Sequence, residues 1–210
     1  MADPVGQRFR VPPGALAPII EQMLNAIERT HGTSDLPVVT IMWTRTFRPQ
    51  ARYLPPTGQE PGPGIEVSEV GATPRTSFLH EVGHLVDNVV GGLTGYASRD
   101  PASPLAPVLA ALKATEAYRR LGEAAQEDRL ALLLGQSAYI AGYLQSDEEL
   151  WARAYAQFVV LRSGDAEARR EMDAVRREPD FNRHRQWEDG DSAAVANALD
   201  RALQMIGWKR

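Results

Sequence analysis

Apolar positions recur with two different periods in the first part of the chain. Between Gly14 and Gly32 they return every three or four residues, which predicts a first amphipathic helix. Residues 37–44 are rich in β-branched and aromatic side chains and predict a buried strand, and residues 51–54 predict a shorter one. Residues 65–70 alternate strictly between apolar and polar, which is typical of a half-exposed or edge strand. The pattern predicts one helix followed by a small mixed sheet.

Helical periodicity dominates the rest of the chain. A helix is expected from Thr73, a suitable N-cap before Pro74, to the pair Gly91-Gly92. After a loop to about residue 104, further helices are predicted near 105–121, 124–135, 147–163, 165–177 and 191–206. This order of elements indicates an α+β fold in which the small sheet packs on the helix that begins at Thr73.

Length and proline distribution suggest how the chain is divided. Residues 1–13 contain three prolines and little periodicity, so they are predicted to form an N-terminal arm. Residues 14–210 are long enough for a single domain with a full core. Within that domain the α/β part is expected to cover about 14–92, and the helical part about 104–210. Trp187 and Trp208 are expected to hold the C-terminal segment on the body of the domain.

Composition excludes several classes of function. The chain has no cysteine, so disulfides and thiolate metal ligands are excluded, and a metal would need His, Asp or Glu. The formal net charge is −4 and the basic residues are interleaved with acidic ones, which favours neither nucleic acid nor a membrane as partner. Neither a leader-like start nor a long apolar run is present, so a cytoplasmic location is expected.

The sequence His80-Glu81-Val82-Gly83-His84 carries the chemistry of the chain. Histidines four residues apart lie on one face of a helix, so His80 and His84 can bind one metal ion together. Glu81 is rotated by about 100° and lies at the flank of that site, where a carboxylate can act as a general base. The motif supplies two ligands and a base, and a third protein ligand must come from elsewhere.

Known spacings leave few choices for the third ligand. The pattern H-E-x-x-H-x-x-G-x-x-H is excluded because positions 87 and 90 are Asp and Val. A Glu about twenty residues downstream is also excluded, because no Glu occurs between Glu81 and Glu116. Asp87 lies on the face of the histidines but about 10 Å along the axis from His80. It is therefore expected to orient His84 without binding the metal, or to bind a nearby backbone group, and it is a weaker candidate ligand.

Glu149 is the better candidate. It belongs to the first turn of the helix predicted at 147–163 and lies at the margin of the apolar stripe of that helix. Ala152 and Ala156 leave a face of small residues beneath it, and Gly83 clears space beside the histidines. Two helices with such faces can approach closely enough for Glu149 to reach a metal held by the histidines.

These two segments resemble a known family. His80 to Asn88 is similar to H-E-x-G-H-x-x-D, and Glu149 to Tyr155 is similar to E-x-x-A-x-A-[FY], two motifs of the gluzincin metallopeptidases related to the catalytic domain of anthrax lethal factor. The resemblance implies a zincin-like fold, a zinc ion bound by His80, His84 and Glu149, and Glu81 as general base. It also implies a tyrosine shortly before Glu149 that stabilises an oxyanion. Tyr143 is six residues upstream, one closer than expected, and Tyr139 is the alternative.

The sequence therefore predicts a zinc-dependent metallopeptidase that acts on a peptide or protein. The predicted edge strand, through Ile65 and Val67, is expected to bind an extended peptide. Two other functions stay open: a zinc-binding but catalytically idle zincin-fold module with a role in assembly or recognition, and a helical interaction protein without metal. His31 and His184 are expected to be surface histidines.

Overall fold

A computed structural model describes residues 4–32, 36–45, 49–57, 62–133, 143–177 and 187–208. In these ranges the chain is mostly helical, with seven α-helices and one four-stranded sheet. The helices are α1 (Ala17–Thr30), α2 (Pro74–Val90), α3 (Ala106–Lys113), α4 (Glu116–Leu133), α5 (Asp147–Ser163), α6 (Ala166–Arg177) and α7 (Asp189–Met205). The predicted α+β class is confirmed. No helix of the described ranges is long and apolar enough to cross a membrane.

The sheet is mixed and contains the strands β1 (Phe9–Arg10), β2 (Val39–Thr44), β3 (Ala51–Leu54) and β4 (Gly64–Ser68). Their spatial order is β1-β2-β4-β3. The pairs β1–β2 and β2–β4 are parallel, whereas β3 runs antiparallel to β4. As a result β3, and not β4, lies at one edge of the sheet.

The prediction that residues 65–70 form an edge strand is wrong. β4 pairs with β2 on one side and with β3 on the other, so both of its backbone edges are occupied. The side chains of Ile65 and Val67 are 0% exposed and belong to the core. Alternation of apolar and polar residues predicts which side chains face the core, but it does not predict whether the strand pairs with one neighbouring strand or with two. Ile65 and Val67 therefore cannot bind a peptide substrate as predicted.

The segment predicted to be an N-terminal arm contributes to the sheet and to the core. Val5–Arg8 forms a 3-10 helix, and β1 follows it directly. The backbone N–H of Val5 donates to Glu28 Oε2 at 2.6 Å, and the buried Phe9 ring packs edge-on against Phe78 of α2 at 6.1 Å. Prolines on both sides of this short segment hid its strand from the periodicity analysis.

Among the described residues the helical half agrees with prediction except in one place, and the predicted helix end near residue 135 lies outside them. α4 runs through Gly122, where a break was expected, and the break lies instead at Thr115. Thr115 Oγ1 accepts the backbone N–H of Tyr118 at 3.2 Å, so Thr115 caps the start of α4. Trp187 and Trp208 are both buried, as expected for residues that hold the C-terminal segment in place.

Helix α2 lies at the centre of the fold. Its apolar side chains Phe78, Leu79, Val82, Leu85 and Val86 are all fully buried. The sheet contacts one side of the helix through Phe9 and Tyr53, and α5 packs against the other side. A helix buried on nearly all sides is held in place by packing from several elements.

The first turn of α2 is capped by a residue from a distant helix. Thr73 occupies the N-cap position, but its side chain makes no capping hydrogen bond. Glu171 of α6 instead accepts the backbone N–H groups of Arg75 and Thr76 at 3.0 and 3.1 Å, and its other oxygen accepts the Arg75 guanidinium at 2.9 Å. A carboxylate at this end of a helix also interacts favourably with the helix dipole.

We expect Glu171→Ala to lower the free energy of unfolding by about 2 kcal/mol, because two partly buried N–H groups lose a charged acceptor. Urea denaturation at neutral pH measures this change. Glu167→Ala is the matched control, since Glu167 is on the same helix but its side chain is exposed and pairs with Arg170. Equal losses in the two variants would show that Glu171 is only a surface charge.

Candidate metal centre

Two histidines of α2 face the same point. Because they are one helical turn apart, the Nε2 atoms of His80 and His84 lie 3.1 Å from each other, and the two rings meet edge to face. His84 is buried, whereas His80 is partly exposed at the outer side of the site. The predicted pairing of these residues is present in the structure.

Glu149 completes the group from α5. Its Oε1 lies 3.1 Å from His84 Nε2, and its Oε2 lies 3.4 Å from His80 Nε2. The Glu149 side chain is almost fully buried, with 3% of the residue exposed. The ligand atoms offered by the three residues all lie within 4.8 Å of one another. The structure therefore brings together the three residues that the sequence analysis selected as metal ligands.

Small residues let the two helices approach each other. A Cβ atom added to Gly83 would lie 2.7 Å from Ala152 Cα and 3.0 Å from the Ala152 carbonyl oxygen. The indole N–H of Trp151 donates to the Gly83 carbonyl at 2.8 Å across the same contact. The predicted close approach is confirmed, because the backbones of Gly83 and Ala152 meet with no room for a side chain at position 83.

The geometry of the three side chains suits a metal ion. Atoms bound to one tetrahedral ion at about 2.0–2.1 Å lie about 3.4 Å from each other, close to the separations found here. His84 Nδ1 is buried and has no hydrogen-bond partner among the described residues, so Nε2 provides the polar contacts of this ring. Two imidazoles and one carboxylate suit several first-row transition metals, zinc among them.

The protonation states favoured for Glu149 and His84 also bear on metal binding. Burial alone would raise the pKa of Glu149, but hydrogen bonds and charge from His80 and His84 hold that pKa well below its usual range. Burial lowers the pKa of His84, yet the Glu149 carboxylate more than compensates and raises it. The group therefore contains an ionised carboxylate that attracts positive charge, which a divalent cation would supply.

Glu81 lies beside the ligands and faces the sheet. It is buried, and its Oε2 accepts the backbone N–H of Tyr53 in β3 at 2.7 Å. The phenol of Tyr53 donates to Asn88 Oδ1 at 2.8 Å, which fixes β3 on α2 at a second point. One oxygen of the predicted general base is thus held by the edge strand.

Tyr143 reaches the site from the segment before α5. Its hydroxyl donates to Glu149 Oε1, although 52% of the residue is exposed. Burial of the hydroxyl and the neighbouring Glu149 raise the pKa of Tyr143, so the phenol stays protonated at neutral pH. Tyr139, the alternative, lies outside the described residues.

The prediction that Asp87 orients His84 is wrong. Asp87 is fully buried, and its two oxygens accept the backbone N–H of Ser98 at 2.7 Å and the Ser98 hydroxyl at 2.5 Å. The prediction that it binds a nearby backbone group is confirmed. Seven residues after His80, its side chain lies beyond the reach of His84 Nδ1, and it fixes the 3-10 turn Ala97–Arg99 instead.

That turn contributes residues that the sequence analysis did not select. The Tyr96 ring lies 6.0 Å from the His84 ring, and the Arg99 guanidinium lies over Tyr96 at 5.2 Å. Arg99 also forms an ion pair at 2.6 Å with Glu148, the neighbour of Glu149. The loop between α2 and α3 has no periodicity from which these contacts could be found.

One of the other histidines differs from expectation. His31, predicted to lie on the surface, is only 7% exposed. Its Nε2 lies 2.9 Å from the Tyr155 hydroxyl, and its ring stacks on Trp208. The C-terminal residues of the described chain cover this helix end, a contact that local sequence does not reveal. His184 lies outside the described residues.

Comparison with known proteins identifies no relative. No family model matches the chain, and neither the curated proteins nor the solved structures contain a match. The function of the site therefore has to follow from its own residues.

We expect Gly83→Ala to separate α2 from α5, because the added Cβ meets the Ala152 backbone. The free energy of unfolding should fall by about 1–2 kcal/mol, and affinity for Zn²⁺ should fall about tenfold as Glu149 moves. Urea denaturation and competition with a chromogenic chelator measure the two effects. Gly190→Ala is the control, since Gly190 lies in α7 with nothing within 4 Å of an added Cβ. Unchanged zinc affinity in Gly83→Ala would contradict the close approach of the two helices.

We expect Asp87 to destabilise the metal-free fold as the pH rises. Burial raises the pKa of Asp87 to about 6, against the ordinary 3.8 of the unfolded chain. The folded state thus binds a proton more tightly, and this stabilisation is complete below pH 3.8 and lost as the pH rises through 6. At 1.36 kcal/mol per pH unit, the contribution is about 3 kcal/mol.

Urea denaturation of wild type and Asp87→Asn after chelation, at several values between about pH 4 and pH 7, isolates this contribution. The amide introduced by Asp87→Asn keeps an oxygen for the Ser98 N–H and cannot ionise. The free energy of unfolding of wild type should fall relative to that of the variant as the pH rises. Parallel curves would show that the Ser98 hydrogen bonds fully offset the cost of burying the charge.

Proposed function

We propose that this protein is a zinc-dependent metallopeptidase of the zincin type. The observation that carries the proposal is the convergence of His80, His84 and Glu149 on one point, with Glu81 beside it. A mixed sheet on one side of the histidine helix and a glutamate helix on the other are what the resemblance to gluzincins implies. Three protein ligands leave a fourth position of a tetrahedral site for water or substrate.

Glu81 is the proton carrier in this proposal. Zinc, when bound, supplies a Lewis acid and lowers the pKa of a water molecule toward about 7. The Tyr53 N–H holds Glu81 Oε2, so Oε1 is the atom that accepts a proton from this water. The oxygen of the water attacks the carbonyl carbon of the peptide bond at the same time. The same atom then donates the proton to the nitrogen of the leaving amine.

Tyr143 stabilises the developing oxyanion. Its hydroxyl already points at the ligand Glu149, and its raised pKa keeps it a hydrogen-bond donor. A small rotation of an exposed phenol moves that donor from the carboxylate to an oxygen of the substrate. A donor placed in this way stabilises the negative charge of the transition state more than the neutral carbonyl.

The substrate we propose is an extended peptide or protein segment, and β3 replaces β4 as its binding strand. β3 lies at the edge of the sheet, and Tyr53 fixes it against α2 through Glu81 and Asn88. Of the β3 backbone groups that face away from β4, the Tyr53 N–H is already bonded to Glu81, so in this proposal a peptide pairs with the others. This pairing would place the peptide alongside the metal centre.

The hydrogen bond from Tyr53 to Glu81 also favours a second function. If this bond holds the carboxylate permanently, the chain binds zinc without turnover and acts as a zincin-fold module for assembly or recognition. The two functions share the metal centre and differ only in whether Glu81 transfers protons.

We expect about one zinc per chain in wild type and Glu81→Gln, and loss of zinc in His84→Ala and Glu149→Ala, by elemental mass spectrometry.

Wild type should cleave an unfolded casein or a peptide library, and Glu81→Gln should do so at least about a hundredfold more slowly. Equal cleavage by both would exclude Glu81 as the base. Zinc binding with no cleavage of either substrate would support the idle module, and a folded wild type that binds no zinc would overturn both functions.

A further inference from the structure

Arg153 is a buried cation at the back of the metal centre. It lies on α5 one turn after Glu149, and only 4% of the residue is exposed. Its Nε donates to the Glu149 carbonyl at 3.2 Å, and its Nη2 donates to the Leu144 carbonyl. Burying a guanidinium is costly unless its donors are used, and here they are used on backbone carbonyls of two segments.

These two segments carry the groups that meet at the metal centre. Leu144 is the residue after Tyr143, and the N–H of Ser146 donates to the Tyr143 carbonyl at 3.0 Å to close the turn before α5. The hydroxyl of Tyr143 donates to Glu149 Oε1. The planar guanidinium thus connects the backbone beside Tyr143 with the backbone of Glu149, the residue that Tyr143 contacts.

The guanidinium is fixed from its other side by Trp187. The Arg153 Cζ atom lies 5.2 Å from the centre of the Trp187 ring, within the range of a cation–π contact. Trp187 is itself held by two hydrogen bonds with the Gln157 side chain, at 2.8 and 3.0 Å, and by one from its indole N–H to Thr115 Oγ1 at 3.0 Å. Arg153 therefore has little freedom to release the Leu144 carbonyl.

We infer that Arg153 is a positioning residue that holds the turn containing Tyr143 against Glu149 and so places the phenol at the metal centre. The hydrogen bonds that the described residues give Arg153 are to backbone carbonyls and not to the ligand atoms, so it acts through Tyr143. The effect on catalysis rests on the proposed function. The clamp, by which we mean the two hydrogen bonds from Arg153 to the carbonyls of Leu144 and Glu149, does not.

Hydrogen exchange of the full chain, as purified and after chelation, tests the clamp directly. In Arg153→Met, exchange of the peptide covering residues 143–148 should become about tenfold faster, because the turn loses its tie to α5. Peptides of α1 and α2 should be unchanged. The control is Arg162→Met on the same helix, whose guanidinium pairs with Asp200 at the surface and should leave residues 143–148 as they are.

Arg153→Lys keeps the charge but lacks the fork that reaches two carbonyls, so it should show an intermediate increase. It carries the test if Arg153→Met does not fold. The inference is overturned if exchange at residues 143–148 is unchanged in Arg153→Lys and in Arg153→Met, where the latter folds. It is also overturned if exchange becomes faster by the same factor along the whole of α5. These results need neither zinc nor a substrate, so they are independent of the proposed function.

A double-mutant cycle then tests whether Arg153 acts through Tyr143. Arg153→Met should weaken zinc binding about tenfold, the range found when a group supporting a ligand is removed. In a Tyr143→Phe background most of that effect should disappear, since the hydroxyl that Arg153 positions is already absent. An effect of the same size in both backgrounds would show that Arg153 supports the fold generally and would overturn the positioning role.

Discussion

The close contact between α2 and α5 is the constraint on which the rest of the site depends. Gly83 and Ala152 meet backbone to backbone, and no side chain separates the two helices there. Glu149, three residues before Ala152, is therefore carried to within 3.1–3.4 Å of both histidine nitrogens. Both helices are apolar and buried around this contact, so the ligand geometry is set by the core rather than by a surface loop.

Electrostatics make the contact costly unless it is compensated. The packing of α2 against α5 buries the ionised carboxylate of Glu149, whose polar neighbours are two imidazoles and the phenol of Tyr143. Hydrogen bonds and charge from the two imidazoles keep this carboxylate ionised, and a divalent cation bound between the three residues would neutralise it. Arg153 and Tyr143 complete the surroundings of Glu149, the first at its carbonyl and the second at its carboxylate.

Local chemistry and spacing predicted the three residues that converge on the candidate metal centre. The pair His80 and His84 follows from helical periodicity, and the partnership of Glu149 with them follows from small residues on both helices. The errors concern contacts between segments far apart in sequence. Asp87 bonds Ser98 across a loop, and His31 is covered by Trp208 from the other end of the described chain.

Strand pairing shows the same limit. The alternation in β4 correctly placed Ile65 and Val67 on one face, but strand order depends on which other strands arrive beside it. β1 was not predicted, because a two-residue strand between prolines has no periodicity of its own. The buried Arg153 was equally hidden, since its partners are backbone carbonyls and an aromatic ring that sequence spacing does not bring together.

The register of β3 ties the sheet to the proposed general base. In an antiparallel pair successive N–H groups point alternately toward the partner and away from it. The Ser68 N–H donates to the Gln50 carbonyl at 2.8 Å, so Gln50 and, two residues on, Arg52 face β4 with their backbone groups. The N–H of Tyr53 faces away from β4 and is directed at Glu81. A shift by one residue would turn that N–H toward β4 and move the Tyr53 phenol to the opposite face, away from Asn88. The orientation of Glu81 is therefore a property of strand pairing, and a peptide added beside β3 would act on the base through the same strand.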